Sequence, residues 1–360
     1  MIGTRPEAIK MRPVARALAA RGVTPLLVFT GQHPGLDPGD FGLDRFPQLM
    51  LGCRGREDPH AHVRAVAEAL LPFLAAAPDL IVVQGDTSSA LGGALAGFTA
   101  GVPVAHVEAG LRTHDPRLPW PEEEYRTAID ADAALLFAPT DFAAANLEAE
   151  RVPGEIYVTG NSGIDAALDA ARKLPPPTIR DGGTRRVLVT CHRRESWNEG
   201  LTSIAAALLA LASDGMLINV ILHPNTFVAD RMRALLSGTK GIALLDPCGH
   251  DELLQRMREA DLVLSDSGGI QEEAPTLGVP LLVLRDKTER PEGIAAGCAH
   301  LVGTDPERIV NAARALLTDP IALARMSRPS FPYGDGRAGD RIAAIMVDWL
   351  ARQSAAWRQA

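Results

Sequence analysis

The sequence predicts an α/β protein made of two parallel-sheet domains in series. Short apolar runs alternate with amphipathic stretches over almost the whole chain, the pattern of a parallel sheet covered by helices on both faces. The alternation breaks once, at Leu174-Pro175-Pro176-Pro177 and Asp181-Gly182-Gly183-Thr184, and then begins again. A proline and glycine cluster of that kind reads as a linker. The 360 residues also exceed what one hydrophobic core normally serves, so two domains are expected.

In the first half, apolar runs predict strands over residues 25–30, 80–83, 102–107, 135–138 and 156–158. Helices are predicted between them over 6–20, 65–76, 88–100, 122–131 and 141–150, the first with Pro6 in the favoured first turn. Only Met1-Ile2 precedes Gly3, so the first strand is expected to be truncated or unusually short. In the second half, strands are predicted over 186–190, 217–222, 243–245, 262–264 and 281–284. A helix follows Ile270, with Pro275 expected to interrupt it.

Composition narrows the function classes. Hydrophobic residues make up 46% and charged residues 22%, which suits a globular fold. No apolar run reaches the length of a membrane span, and no signal peptide is read at the start, so a cytoplasmic protein without a membrane partner is expected. Cys53, Cys191, Cys248 and Cys298 are scattered with no CxxC, which indicates neither zinc nor a disulfide framework. The net charge of −8 with no long basic tract argues against nucleic acid, and an anionic ligand must meet a local basic pocket.

Ligands of open α/β sheets bind beyond the carboxyl ends of the strands, and those ends carry the chemistry here. Ser265-Asp266-Ser267-Gly268-Gly269 joins a buried strand to a helix. The first N–H groups of such a helix suit a phosphate, and the glycines let it approach the backbone. Glu273, one turn further in, is placed to accept from a ribose diol. Arg5 and Lys10 follow the first strand, Asp86 follows the run at 81–83, and Glu108 and Arg112 follow the next. Trp120-Pro121-Glu122-Glu123 opens a helix. In the second half come His192-Arg193-Arg194 and His223-Pro224-Asn225. Each singly also suits a structural role as an acidic cap, a satisfied histidine or a solvated arginine. Three carboxylates in one half and a cationic cluster with a phosphate turn in the other point together to a site.

With these residues in view, the chain resembles the non-hydrolysing UDP-N-acetylglucosamine 2-epimerases over essentially its whole length. The likeness rests on Gly3 to Lys10 (GTRPEAIK), Gly85 to Thr87 (GDT), His106 to Thr113 (HVEAGLRT) and WPEE followed by Arg126. It continues through Thr159 to Asn161 (TGN), His192 to Ser196 (HRRES), Ser265 to Gly278 (SDSGGIQEEAPTLG) and Arg285 to Gly293 (RDKTERPEG). The resemblance implies two Rossmann-like domains of the B-type glycosyltransferase fold with a cleft between them. The N-terminal domain would cover residues 1–165, with a C-terminal helix within 338–360, centred on Ile342 to Trp357, packing back onto it. The UDP-binding domain would cover 166–337.

By the same resemblance, Asp86, Glu108, Glu122 and His192 are expected to be catalytic. Arg5, Lys10, Arg112, Arg126, His223, Asn225, Ser267, Gly268, Gly269, Glu273 and Arg290 are expected to bind substrate. The implied reaction is reversible conversion of UDP-N-acetylglucosamine (UDP-GlcNAc) to UDP-N-acetylmannosamine (UDP-ManNAc), supplying ManNAc units for polysaccharide. Neither metal nor cofactor is implied, and a homodimer is expected. The alternatives are a hydrolysing 2-epimerase, action on a related UDP-2-acetamido sugar, a glycosyltransferase on the same scaffold, or a UDP-sugar-binding regulator. Many bacterial members follow Gln-His with Arg-Glu-Met, which helps hold a second, activating UDP-sugar. Gln32-His33 is followed here by Pro34-Gly35-Leu36, so turnover without that activation is expected. Gly249 to Leu253 lacks the family's aromatic pair, the segment around His223-Pro224-Asn225 is shorter, and Tyr125 stands where Asn is common.

The implied chemistry explains why phosphate and carboxylates belong together. The C2 proton of the sugar has no adjacent carbonyl to stabilise a carbanion. Expelling UDP from C1 as that proton leaves gives a glycal, to which UDP adds back after protonation on the other face. Arg5, His192 and the Ser267-Gly268-Gly269 terminus would stabilise the leaving diphosphate. Clustered carboxylates can divide acid and base roles between them.

Overall fold

The structure, a computed structural model, describes residues 1–76, 78–176, 183–191 and 199–357. They form two compact units, Met1–Ala166 with Tyr333–Ala360, and Ala167–Pro332.

The N-terminal unit runs α1 (Arg5–Ala20), β1 (Leu27–Phe29), β2 (Gln48–Met50), α2 (Pro59–Leu74), β3 (Ile81–Gln84), α3 (Ser88–Ala100) and β4 (Val104–Val107). It continues with α4 (Glu122–Asp132), β5 (Leu135–Ala138), α5 (Asp141–Glu150), β6 (Glu155–Val158) and α6 (Ser162–Lys173), within which the division between the units falls. All the pairings are parallel, in the orders β1-β2 and β3-β4-β5-β6. The expected first strand is reduced to Ile2, which bridges to Phe29 while the Met1 amine donates to Val82 O at 2.8 Å. Through these two contacts Met1 and Ile2 link the two-stranded sheet β1-β2 to the four-stranded sheet β3-β4-β5-β6.

Strands β1, β3, β4 and β5 are buried on both faces, and the side-chain alternation of a strand sorts their residues between two cores. Leu27, Phe29, Ala105 and Val107 pack with Ala8, Met11, Val14 and Leu18 of α1 and with Ile342, Met346 and Trp349. The last three belong to the C-terminal helix, α14 (Ala338–Trp357). Val28, Ile81, Val83 and Val104 turn the other way, against Val63 and Leu70 of α2, Leu91 of α3 and Ile129 of α4.

The C-terminal unit runs β7 (Arg186–Thr190), α7 (Glu199–Ser213), β8 (Leu217–Ile221), α8 (Thr226–Leu236), β9 (Ile242–Leu245), α9 (His250–Arg258), β10 (Leu262–Ser265) and α10 (Gly268–Leu277). β11 (Leu281–Val283), α11 (Glu292–Ala295), β12 (Ala299–Leu301), α12 (Pro306–Thr318) and α13 (Pro320–Met326) complete it. Its six parallel strands lie in the order β12-β11-β10-β7-β8-β9. The chain therefore reverses direction across the sheet between β7 and β10, where a crevice at the carboxyl ends is expected. Thr190 and Ser265 end those two strands, and their hydroxyls hydrogen-bond at 2.7 Å. Val187 and Val189 face one core while Leu188 and Val263 face the other.

Several expectations need correction. β2 was not foreseen: its burial alternates exposed, half-buried, exposed, which leaves little apolar signal. α2 starts at Pro59, six residues before the predicted helix, because Asp58 caps it through His60 N. Pro275 does not interrupt α10, which runs on to Leu277 and ends at Gly278 in the left-handed conformation. The proline has no N–H to give the Gln271 carbonyl, and with only Thr276 and Leu277 beyond it the helix ends before a kink would matter.

Candidate active site

In the N-terminal unit, four elements bring a charged constellation to the carboxyl ends of β3 and β4. Lys10, in the second turn of α1, is buried, and its Nζ lies 2.5 Å from Glu108 Oε2. The same oxygen accepts from Gln84 Nε2 at 2.9 Å. Glu108 follows β4 directly and has φ 72°, a left-handed conformation uncommon for a residue with a Cβ. Phe137 O secures this turn by accepting from the N–H groups of Glu108 and Ala109 at 3.0 and 3.1 Å.

Asp86 follows β3, and its Oδ2 lies 2.8 Å from Nη2 of the buried Arg126. Arg126 belongs to α4, whose acidic and basic residues recur at helical spacing along one side. Glu122 opens that helix, half-buried. Glu123 accepts from the N–H groups of Thr113 and His114, both at 2.9 Å. Asp130, fully buried, receives His106 Nδ1 at 2.6 Å, Arg112 Nη2 at 2.8 Å and Gly110 N at 3.1 Å. The other ring nitrogen of His106 meets Gly85 O at 2.8 Å. Burial alone would raise the Asp130 carboxyl, but the His106 and Arg112 charges outweigh it and hold the group below its ordinary value. One buried carboxylate thus ties down the turns that carry both Asp86 and Glu108.

In the C-terminal unit, α10 begins at the reversal point with no side-chain cap, so its first N–H groups are left to other acceptors. Ser267 N donates to Ser265 Oγ at 3.0 Å. A Cβ on Gly268 would come within 2.8 Å of the Arg290 guanidinium, whereas one on Gly269 would meet no protein atom within 4 Å. Arg290 is buried, its Nε 2.6 Å from Glu272 and its Nη1 on Glu289. Glu273 is buried and receives His250 Nε2 at 2.8 Å.

A family model for UDP-N-acetylglucosamine 2-epimerase matches residues 16–347. The chain belongs to this family. It is similar to the UDP-N-acetylglucosamine 2-epimerase of Yersinia pestis, 41% identical over 368 residues that cover 95% of this chain and 96% of the relative. The enzyme of Escherichia coli strain K12 is 40% identical over 366 residues, covering 95% and 96%. Among solved structures, the UDP-GlcNAc 2-epimerase from Neisseria meningitidis bound to UDP-GlcNAc matches with a TM-score of 0.91 at 35% identity. It covers 96% of this chain and 98% of its own. The Methanocaldococcus jannaschii enzyme in complex with UDP-GlcNAc and UDP gives 0.84 at 32%, covering 96% and 98%. The two Rossmann-like units are thus those of a B-type glycosyltransferase fold.

Set beside the residues expected in a family member, the structure gathers Lys10, Asp86, Glu108 and Arg126 and places Glu122 on the same helix as Arg126. Arg5 is exposed at the start of α1. Ser267, Gly268 and Gly269 sit at the start of α10, and Glu273 lies in its second turn. His192 lies outside the described residues. Several residues expected on substrate have partners within the protein, Lys10, Arg126 and Glu273 among them as described above. Arg112 pairs with Asp130 and bidentately with Glu150, Arg290 with Glu272 and Glu289, and Asn225 caps α8 through Phe227 N. His223 Nδ1 accepts from Asn225 N at 2.9 Å.

The sequence does not single out Glu7, Gln84, Asp130 and His250, which the fold brings to these turns. Thr4 to Glu7 carries a capping-box signature, and residues 122, 126 and 130 share a helical spacing, so two signals were present. Among the described residues no group of three or more His, Cys, Asp or Glu is arranged to hold a metal. No described helix is long and apolar enough to cross a membrane.

Proposed function

We propose that this chain interconverts UDP-GlcNAc and UDP-ManNAc by eliminating and re-adding UDP, supplying ManNAc units for polysaccharide. The observation that carries this reading is the pair of strand-end carboxylates with different compensation: Glu108 against Lys10 and Gln84, and Asp86 against Arg126. Family membership supports the nucleotide sugar as substrate.

In the forward direction a carboxylate of the N-terminal unit takes the proton from C2. The C1–O bond breaks, its electron pair leaves with UDP, and a C1=C2 double bond forms. A protonated acid then delivers a proton to C2 from the opposite face as a UDP oxygen bonds to C1. Asp86, Glu108 and Glu122 supply the base and the acid, with Lys10 and Arg126 holding their charge and position. The C-terminal unit receives the nucleotide: the α10 N-terminus at Gly268-Gly269 takes the diphosphate, and Glu273, oriented by His250, takes the ribose hydroxyls. Arg5 and His192 are assigned to the charge that builds on the leaving diphosphate. Arg112 and Arg290 are assigned to holding the two turns, since each is committed to two carboxylates. A cytoplasmic homodimer is proposed on the strength of the resemblance alone.

Asp86→Asn, Glu108→Gln and Glu122→Gln should each lower kcat by about 10²–10⁴-fold while leaving UDP affinity nearly unchanged by calorimetry. Turnover within a few-fold of wild type in all three would refute the assignment.

A further inference from the structure

Glu7 belongs to none of the groups assigned above, yet it is almost wholly buried at 1% exposure, and both of its carboxylate oxygens are used. Oε2 accepts from Gly3 N at 2.9 Å, Thr4 N at 2.6 Å and the Thr4 hydroxyl at 2.8 Å. Oε1 accepts from the Thr87 hydroxyl at 2.8 Å, 80 residues away in sequence. Thr87 Oγ1 in turn accepts from Ala90 N at 3.0 Å and so caps α3.

A local capping box needs only the reciprocal contacts between Thr4 and Glu7 and works on an exposed helix end. Here the carboxylate is buried, which raises its pKa above the ordinary 4.5, an unfavourable placement for an ionisable group. What burial adds is the bond to Thr87. That bond joins the two turns at the reversal point of the N-terminal sheet: the one after Ile2, which carries Arg5, and Gly85-Asp86-Thr87 after β3. On the opposite side of Asp86, the Gly85 carbonyl is held by His106. Asp86 is therefore flanked by two residues whose polar groups are both fixed.

We infer that Glu7 is a positioning residue that acts through Thr87 to fix Asp86. The inference rests on the proposed role of Asp86 in proton transfer. Glu7 serves as a hydrogen-bonding bracket and does not itself titrate during turnover. A glutamine can do the same work, its amide oxygen accepting from Gly3 and Thr4 and its NH2 donating to Thr87.

The test is kinetic, on the full chain with UDP-GlcNAc as substrate and UDP binding followed by calorimetry. Thr87→Val and Glu7→Ala should each lower kcat by roughly ten- to a hundredfold, the scale on which misplacement of a reacting group is felt, with UDP affinity within about twofold. Thr87→Ser and Glu7→Gln should restore most of that loss. In an Asp86→Asn background, Thr87→Val should cost nothing further, because residues that act as a unit are not additive. Should Glu7→Ala fail to fold, the two Thr87 variants carry the test alone. An equal loss from Thr87→Val with and without Asp86 overturns the inference in favour of a general structural role. A Glu7→Gln variant as slow as Asp86→Asn overturns it by making Glu7 a proton carrier. Wild-type kcat in Thr87→Val beside an inactive Asp86→Asn overturns the inference alone. An active Asp86→Asn removes the underlying reading and the inference with it.

Discussion

Lys10 and Glu108, 98 residues apart in sequence, form a buried ion pair at 2.5 Å. Burying either charge alone would be costly, and removing one partner from such a pair typically destabilises by about 3–5 kcal/mol. Lys10→Ala should therefore lower the urea unfolding free energy by an amount of that order and reduce kcat as well. Lys10→Arg should retain most of the stability. A Lys10→Ala protein as stable as wild type would show that Glu108 is compensated from elsewhere.

Gly268 and Gly269 make opposite predictions although they are neighbours. A methyl group at 268 presses on the Arg290 guanidinium, which Glu272 and Glu289 hold in place. A methyl group at 269 enters open space and removes the entropic cost of a helical glycine. Gly269→Ala should leave Tm unchanged or raised yet weaken UDP binding at least tenfold by calorimetry, because the Cβ blocks the approach to the α10 N–H groups. Gly268→Ala should lower both. Full UDP affinity in Gly269→Ala would place the diphosphate elsewhere.

These relationships differ in how far the sequence discloses them. Ile81 to Gln84 and Val104 to Val107 are legible as strands because buried parallel strands are apolar on both faces. Asp86 and Glu108 stand out at once because they follow those runs. β2 carries no such signal, with Gln48 and Met50 exposed, and only the register of the sheet defines it. Pairing partners are less legible still. Nothing local tells Lys10 that it meets Glu108, which depends on sheet order, or His106 that Asp130 lies 24 residues on, which depends on how α4 packs back on β4. Arg112 and Arg290 are as little legible: the motifs show two cations, and only the fold shows the carboxylates with which each is paired.

Asp130 makes stability depend on acid pH. Its carboxyl lies below the ordinary 3.8 when folded, so at neutral pH the folded state gains from its ionisation. That gain is present above the unfolded value and is lost as pH falls from there through the folded value. Asp130→Asn should be markedly less stable than wild type at pH 7, with the difference shrinking as pH drops below about 3.8. Unfolding free energies measured from pH 2 to 7 decide this. A difference that stays constant to pH 2 would mean that the network does not depend on the Asp130 charge.

Elimination and re-addition of UDP make a firm demand: the C2 proton leaves to one exchangeable group and is replaced from another, so the hydrogen at C2 must exchange with solvent. Proton NMR of UDP-GlcNAc incubated with the protein in deuterated water tests this most directly. The expected result is UDP-ManNAc whose C2 carries deuterium, formed without any acceptor and without accumulation of free ManNAc. Product that keeps its original C2 hydrogen would contradict the mechanism, and release of UDP with free ManNAc would make the enzyme a hydrolysing one.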